Sequence, residues 1–116
     1  MEKIVCKAND IARGQLLSTR VGPVPVCVGR TGDGVLFAVT DKCLHQGGPL
    51  SQGRCQGTTE SDGVGDYKYV RVGEILKCPW HGYEYDALTG TALFDKTRQL
   101  RTFKVWEQDH EVVVEL

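Results

Sequence analysis

Two short stretches hold the side chains best suited to bind a metal: Cys43-Leu44-His45 and Cys78-Pro79-Trp80-His81. Each offers one thiolate and one imidazole. Two soft sulfurs with two nitrogens suit iron or zinc far better than magnesium or calcium. Both pairs sit among glycine and proline, in Cys43-Leu44-His45-Gln46-Gly47-Gly48-Pro49-Leu50 and in Cys78-Pro79-Trp80-His81-Gly82-Tyr83-Glu84-Tyr85-Asp86. Glycines at 47, 48 and 82 let the backbone approach a metal group closely, with N–H groups turned toward sulfur. Pro79 restricts the turn between Cys78 and His81.

This pattern resembles the Rieske ferredoxin family, whose signature is Cys-x-His, an intervening segment, then Cys-x-x-His-Gly. The resemblance is strong at the two loops and extends weakly over most of the chain, including residues 10–14 and Asp86-Ala87-Leu88-Thr89-Gly90. It implies one [2Fe–2S] cluster per chain, with two histidines replacing two cysteines on one iron. Carried across, Cys43 and Cys78 bind one iron, and His45 and His81 the other. It also implies a one-electron carrier that passes electrons from a flavin-containing reductase to a terminal oxygenase and is not itself an enzyme. The histidines would lie at the exposed tip, with Gln46, Pro49, Leu50 and Trp80 as rim residues for docking. No nucleophile, general base or substrate pocket is evident in the sequence.

The chain departs from the respiratory-complex branch of that family. The extra cysteines that form a disulfide beneath the cluster there correspond to Gly48 and Trp80 here, and the serine two residues after the second histidine is Tyr83. A tyrosine four residues after that histidine is kept as Tyr85, whose hydroxyl is expected to reach a ligand sulfur. Rieske centres span ~−150 to +300 mV. Losing the disulfide and the serine places this one toward the low end, lifted somewhat by Tyr85. After Gly90, where many relatives carry a proline-containing covering segment, this chain has Leu93-Phe94-Asp95-Lys96-Thr97-Arg98.

Two other readings stay open on the residues alone. Zinc accepts two cysteines and two histidines, although its usual fingers pair Cys with Cys and His with His. The chain also fits a small subunit of a larger reductase of the nitrite-reductase type.

The elements that must position these loops read as strands. Ile4 and Cys6, then Val24, Val26 and Val28, then Val35, Phe37 and Val39 alternate with their neighbours at a two-residue period. Turn residues separate them at 8–10, 21–23 and 31–34. The 31–34 turn predicts a hairpin between strands near Val26 and Phe37. A second hairpin is expected at the carboxyl end, Phe103 and Val105 against Val112, Val114 and Leu116, with the turn at 107–110. Residues 37–41 and 74–77 lead into the two ligand loops. Short strands at this spacing imply an all-β sandwich or barrel. The family resemblance implies antiparallel sheets, as a sandwich or partly open barrel, with a small cluster-binding subdomain built from loops 43–50 and 78–86. Residues 52–66, rich in Gly, Ser, Thr and acidic groups, read as an exposed inserted loop.

At 116 residues the chain has room for one domain, 1–116, and one core, too small for a separate catalytic domain. Its 14 basic and 15 acidic residues leave a net charge of −1, without the basic excess of a nucleic-acid surface. The longest uncharged run, 21–29, is too short to span a bilayer, and the amino terminus lacks a signal-peptide pattern, so a cytoplasmic protein is expected. Of the cysteines left over, Cys6 and Cys27 read as small buried hydrophobes and Cys55 as an idle surface thiol. His110 reads as solvated, Trp106 as packing, and Glu60, Asp62 and Asp66 as a solvated face.

Overall fold

The computed structural model describes residues 1–44, 47–53, 55–63, 66–80 and 82–116, with the side chains at 58–63, 66–70 and 72 outside that description. Among the described residues the fold is nine strands in three antiparallel three-stranded sheets. Sheet A takes β1 (Glu2–Lys7), β9 (Glu111–Glu115) and β8 (Lys104–Gln108), in that order. Sheet B takes β2 (Leu16–Val21), β3 (Val24–Arg30) and β4 (Leu36–Thr40). Sheet C takes β5 (Cys55–Gly63), β6 (Asp66–Lys77) and β7 (Glu84–Asp86). The all-β expectation is met, as open sheets and not as a closed barrel. No helix is long and apolar enough to cross a membrane.

Sheet B lies between two cores, which explains why β3 is apolar on both faces. Val26 and Val28 join Ala38, Val112, Val114 and Phe103 in a core against sheet A. Cys27 points the other way and packs with Phe37 and Val39 in a second core that also holds Cys43, Cys78 and Tyr85. The β3–β4 register pairs Cys27 with Val39 and Val28 with Ala38, so alternation along each strand sorts residues between the cores.

The predicted hairpins form, with local differences. The β8–β9 turn is only Asp109-His110, both at positive φ (52° and 64°), as a two-residue type I′ connection requires. In β1 a bulge between Ile4 and Cys6 breaks the expected alternation. Ile4 is consequently exposed, and Val5 and Cys6 turn together, half-buried, onto the first core.

The expectation for residues 52–66 needs correction. Residues 55–63 are strand β5, paired with β6, not a loop. Polar composition hides a strand whose pairing is satisfied by backbone rather than by apolar faces. The hairpin has two parts. At its base Cys55 pairs with Leu76 and Gln56 with Ile75, whereas the outer arm runs from Thr58↔Val70 to Gly63↔Asp66. Between them β6 makes an irregular turn, with Arg71 and Gly73 both at positive φ. Arg71 there forms ion pairs with Asp86 and Glu74.

Candidate metal centre

Both ligand loops are entered from strand ends, as expected. The first leaves β4 at Thr40 and runs into a short 3-10 turn, Leu50–Gln52; the second is the tip of the β6–β7 hairpin, closed by Lys77↔Glu84. Their backbones follow one hydrogen-bond plan. The Cys43 N–H donates to the Gly48 carbonyl (2.8 Å), and the Gly47 N–H returns to the Cys43 carbonyl (2.9 Å). The Cys78 N–H donates to the Tyr83 carbonyl (2.8 Å), and the Gly82 N–H returns to the Cys78 carbonyl (2.9 Å). In each loop the glycine four residues after the cysteine has positive φ, 71° at Gly47 and 74° at Gly82, a conformation that favours glycine. The two loops are thus copies of one knuckle.

The loops meet. A Cβ at Gly48 would lie 2.9 Å from the Cys78 Sγ and 3.0 Å from the Trp80 ring, so only glycine fits there. The two positions of the respiratory-branch disulfide are therefore neighbours filled by a glycine against an indole, and Cys43 and Cys78 are thiols outside any disulfide. Both cysteines are buried, at 4% and 2% exposure.

Tyr85 reaches the first of them. It is fully buried, and its hydroxyl lies 3.0 Å from the Cys43 Sγ. The Leu44 N–H donates to the same oxygen at 3.0 Å. The hydroxyl accepts from Leu44 and can still donate to a Cys43 thiolate, which as an anion can only accept. Burial, then the bond to Cys43 and the nearness of Cys78, push the Tyr85 pKa up, so the phenol stays a donor. Tyr85 is set by sheet C, where it pairs with Leu76, itself paired with Cys55.

Asp41 closes the first loop. Its buried carboxylate accepts the Ser51 N–H (2.8 Å), the Ser51 hydroxyl (2.6 Å) and the Ser18 hydroxyl (3.1 Å), while its own N–H donates to the Pro25 carbonyl (3.0 Å). Both ends of the loop are tied to sheet B by one side chain. Bonds to a charged acceptor contribute about 1.5–3 kcal/mol each. The sequence reading missed Asp41. Its signal is faint: a carboxylate at a strand end with serines that come near only in the fold.

The segment after Gly90 was also under-read. Phe94 meets Tyr83 edge-on at 4.7 Å and Tyr85 at 5.7 Å between ring centroids. Arg98 Nη2 donates to the Leu44 carbonyl at 3.2 Å. Without proline, residues 91–99 still lie against the two loops.

Other expectations are settled site by site. Leu50 is 1% exposed and belongs to the core, not to a docking rim, because the 3-10 turn rotates it inward. Pro49 is half-buried and Trp80 is 55% exposed. Cys55 is a half-buried strand residue against the second core, not an idle surface thiol, and burial raises its pKa to about 12. Cys27 is fully buried, and its pKa is raised by burial and by Asp41 and Cys55 nearby. His110 is exposed. Expectations for His45, His81 and Gln46 concern positions outside the described residues.

The donors present fit an iron–sulfur group: two buried sulfurs brought together, a phenol donor aimed at one, and a glycine where a side chain would obstruct. Comparison with known proteins agrees. The model of the Rieske [2Fe-2S] domain matches residues 1–107. The biphenyl 2,3-dioxygenase ferredoxin component of Rhodococcus jostii (strain RHA1) is 28% identical over 97% of this chain and 90% of its own. Among solved structures, a chain of the complex of reduced oxygenase and oxidized ferredoxin in carbazole 1,9a-dioxygenase is 30% identical, with a TM-score of 0.74 over 97% of this chain and 100% of that one. A ferredoxin of Sphingomonas yanoikuyae B1, at 21% identity, shares the fold with a TM-score of 0.74 over 100% of this chain and 99% of its own.

Proposed function

The chain belongs to the Rieske [2Fe-2S] domain family, and on that footing we propose that it is a cytoplasmic one-electron carrier taking electrons from a flavin-containing reductase to a terminal oxygenase. The observation that carries this reading is the pair of matched knuckles that bury Cys43 and Cys78 in one core with Tyr85, whose hydroxyl contacts the Cys43 sulfur. Cys43 and Cys78 hold one iron, and His45 and His81 the other, the whole chain 1–116 serving as a single domain around this site. When bound, the cluster supplies reversible one-electron transfer at low to moderate potential.

The protein's own residues supply the rest. Tyr85 donates its phenolic proton to the Cys43 sulfur and draws negative charge from it, which favours the reduced state. Burial of both cysteines keeps water from the sulfur end. A cleft of about 540 Å³ beside Cys78, edged by Gln56, Lys77, Pro79 and Trp80, leaves surface for a partner to approach.

The test is to purify the chain without air and record visible and electron paramagnetic resonance spectra. A brown protein is expected, reduced by dithionite but not by ascorbate, with a lower average g than all-cysteine clusters. Reduction should also proceed through the reductase of a ring-hydroxylating system. A colourless protein with stoichiometric zinc would overturn the proposal.

A further inference from the structure

Residues 91–99 form a compact turn held to the site by their own backbone. The Leu93 N–H donates to the Glu84 carbonyl (3.0 Å), the Ala92 N–H to the Arg98 carbonyl (3.0 Å), and the Arg98 N–H to the Asp95 carbonyl (3.0 Å). Phe94 anchors the turn on Tyr83 and Tyr85. Arg98 is exposed, and its guanidinium donates to the Leu44 carbonyl, one residue before His45 in the sequence. The nearest carboxylate on the turn, Asp95, accepts the Thr97 hydroxyl (2.6 Å) and N–H (3.0 Å), which hold its pKa below the usual range. Asp95 also feels the Arg98 charge, while the hydrogen bond of the guanidinium goes to Leu44 in the first loop.

We propose that Arg98 is a positioning residue that fixes the first ligand loop at Leu44 and places a permanent positive charge there, raising the reduction potential of the centre. The proposal rests on the Rieske reading above. Reduction adds one negative charge to the site, and a guanidinium, which stays charged at any working pH, stabilises the reduced state more than the oxidised one. Its planar fork also holds the Leu44 carbonyl, and Leu44 in turn donates its N–H to Tyr85. One cation therefore acts on charge and on loop geometry together.

The experiment measures the reduction potential of the intact, cluster-loaded protein and of Arg98→Lys, Arg98→Gln and Arg98→Glu, each at low and high salt. Visible and paramagnetic spectra establish that the parent carries a Rieske cluster; their failure would sink the functional reading and leave this inference without a premise. Given that spectrum, Arg98→Gln is expected to shift the redox equilibrium up to tenfold toward the oxidised form, ~59 mV for one electron. Arg98→Glu should go further, and Arg98→Lys should stay near the parent. The spread should narrow in high salt as exposed charge is screened. If Arg98→Gln fails to load, the comparison of Arg98→Lys with Arg98→Glu still reads the sign of the charge effect. Equal potentials for Lys and Glu variants, or a parent-like Gln variant, would overturn the proposal.

Discussion

The Tyr85 hydroxyl has two partners, and they decide where its proton points. Leu44 can only donate to it, and a metal-bound Cys43 thiolate has no proton to give, so in the loaded protein the hydroxyl donates to the sulfur. Removing that hydroxyl returns negative charge to the sulfur, and Tyr85→Phe is therefore expected to lower the potential by roughly 59 mV, a tenfold change in the redox equilibrium. Protein-film voltammetry on the two proteins measures it, and an unchanged or higher value would remove Tyr85 from this role. Cys55 gives a second prediction of opposite chemistry. Its thiol ionises near 9 when unfolded and about 12 when folded, because burial disfavours the thiolate. A raised folded pKa means that the neutral thiol contributes stability in full below pH 9, and this is lost as pH rises from 9 toward 12. Cys55→Ala should flatten the alkaline fall in stability across that window, as measured by denaturant titration at stepped pH. An identical slope in both proteins would contradict the assignment.

Among the elements, the β5–β6 hairpin divides its labour. The base pairs 55–56 with 75–76 and sets the strand from which Cys78 departs, whereas the backbone of the arm beyond Arg71 and Gly73 pairs its own two strands, from Thr58↔Val70 to Gly63↔Asp66. Replacing residues 59–69 with Asn-Gly gives Thr58 and Val70 a favoured two-residue turn. The shortened protein should keep its iron content and spectrum, with a thermal midpoint within about 5 °C of the parent, equivalent to about 1 kcal/mol. Loss of the cluster would mean that the arm supports the site. Arg30 plays a comparable part at the other end of sheet B. Its guanidinium donates to the carbonyls of Ile11 (2.9 Å), Gly34 (3.1 Å) and Ala8 (3.2 Å) and pairs with Glu107 (3.1 Å), tying sheets A and B without reference to the metal.

Across the whole molecule, the two cores have unequal stakes in the cluster. The core shared by sheets B and C contains Cys43 and Cys78, the cysteines of the proposed ligand set; the core shared by sheets A and B contains neither. A metal that binds only the folded chain stabilises it, and its removal withdraws that contribution where the ligands are packed. Chelating the iron should lower the thermal midpoint and loosen the amides around 76–78 and 85 well before those at 26–28 and 112–114. Hydrogen exchange on the two forms reads this directly. A uniform loss of protection would show that the cores unfold as one unit.

Much of this was legible in the residues themselves. Cysteine and histidine spacing, with glycine at the fourth position after each cysteine, follows from local backbone needs, and those needs are written locally. Strand periodicity worked where one face is buried, and it blurred in β3, where both are. The polar strand β5 was invisible because its residues show no apolar alternation, and the backbone ladder to β6 leaves no mark on side-chain type. Asp41, Phe94 and Arg98 acquired their parts only in three dimensions, since a carboxylate, a ring and a guanidinium take meaning from neighbours distant in sequence. Local chemistry thus proposed the ligands, and long-range packing chose which side chains surround Cys43 and Cys78.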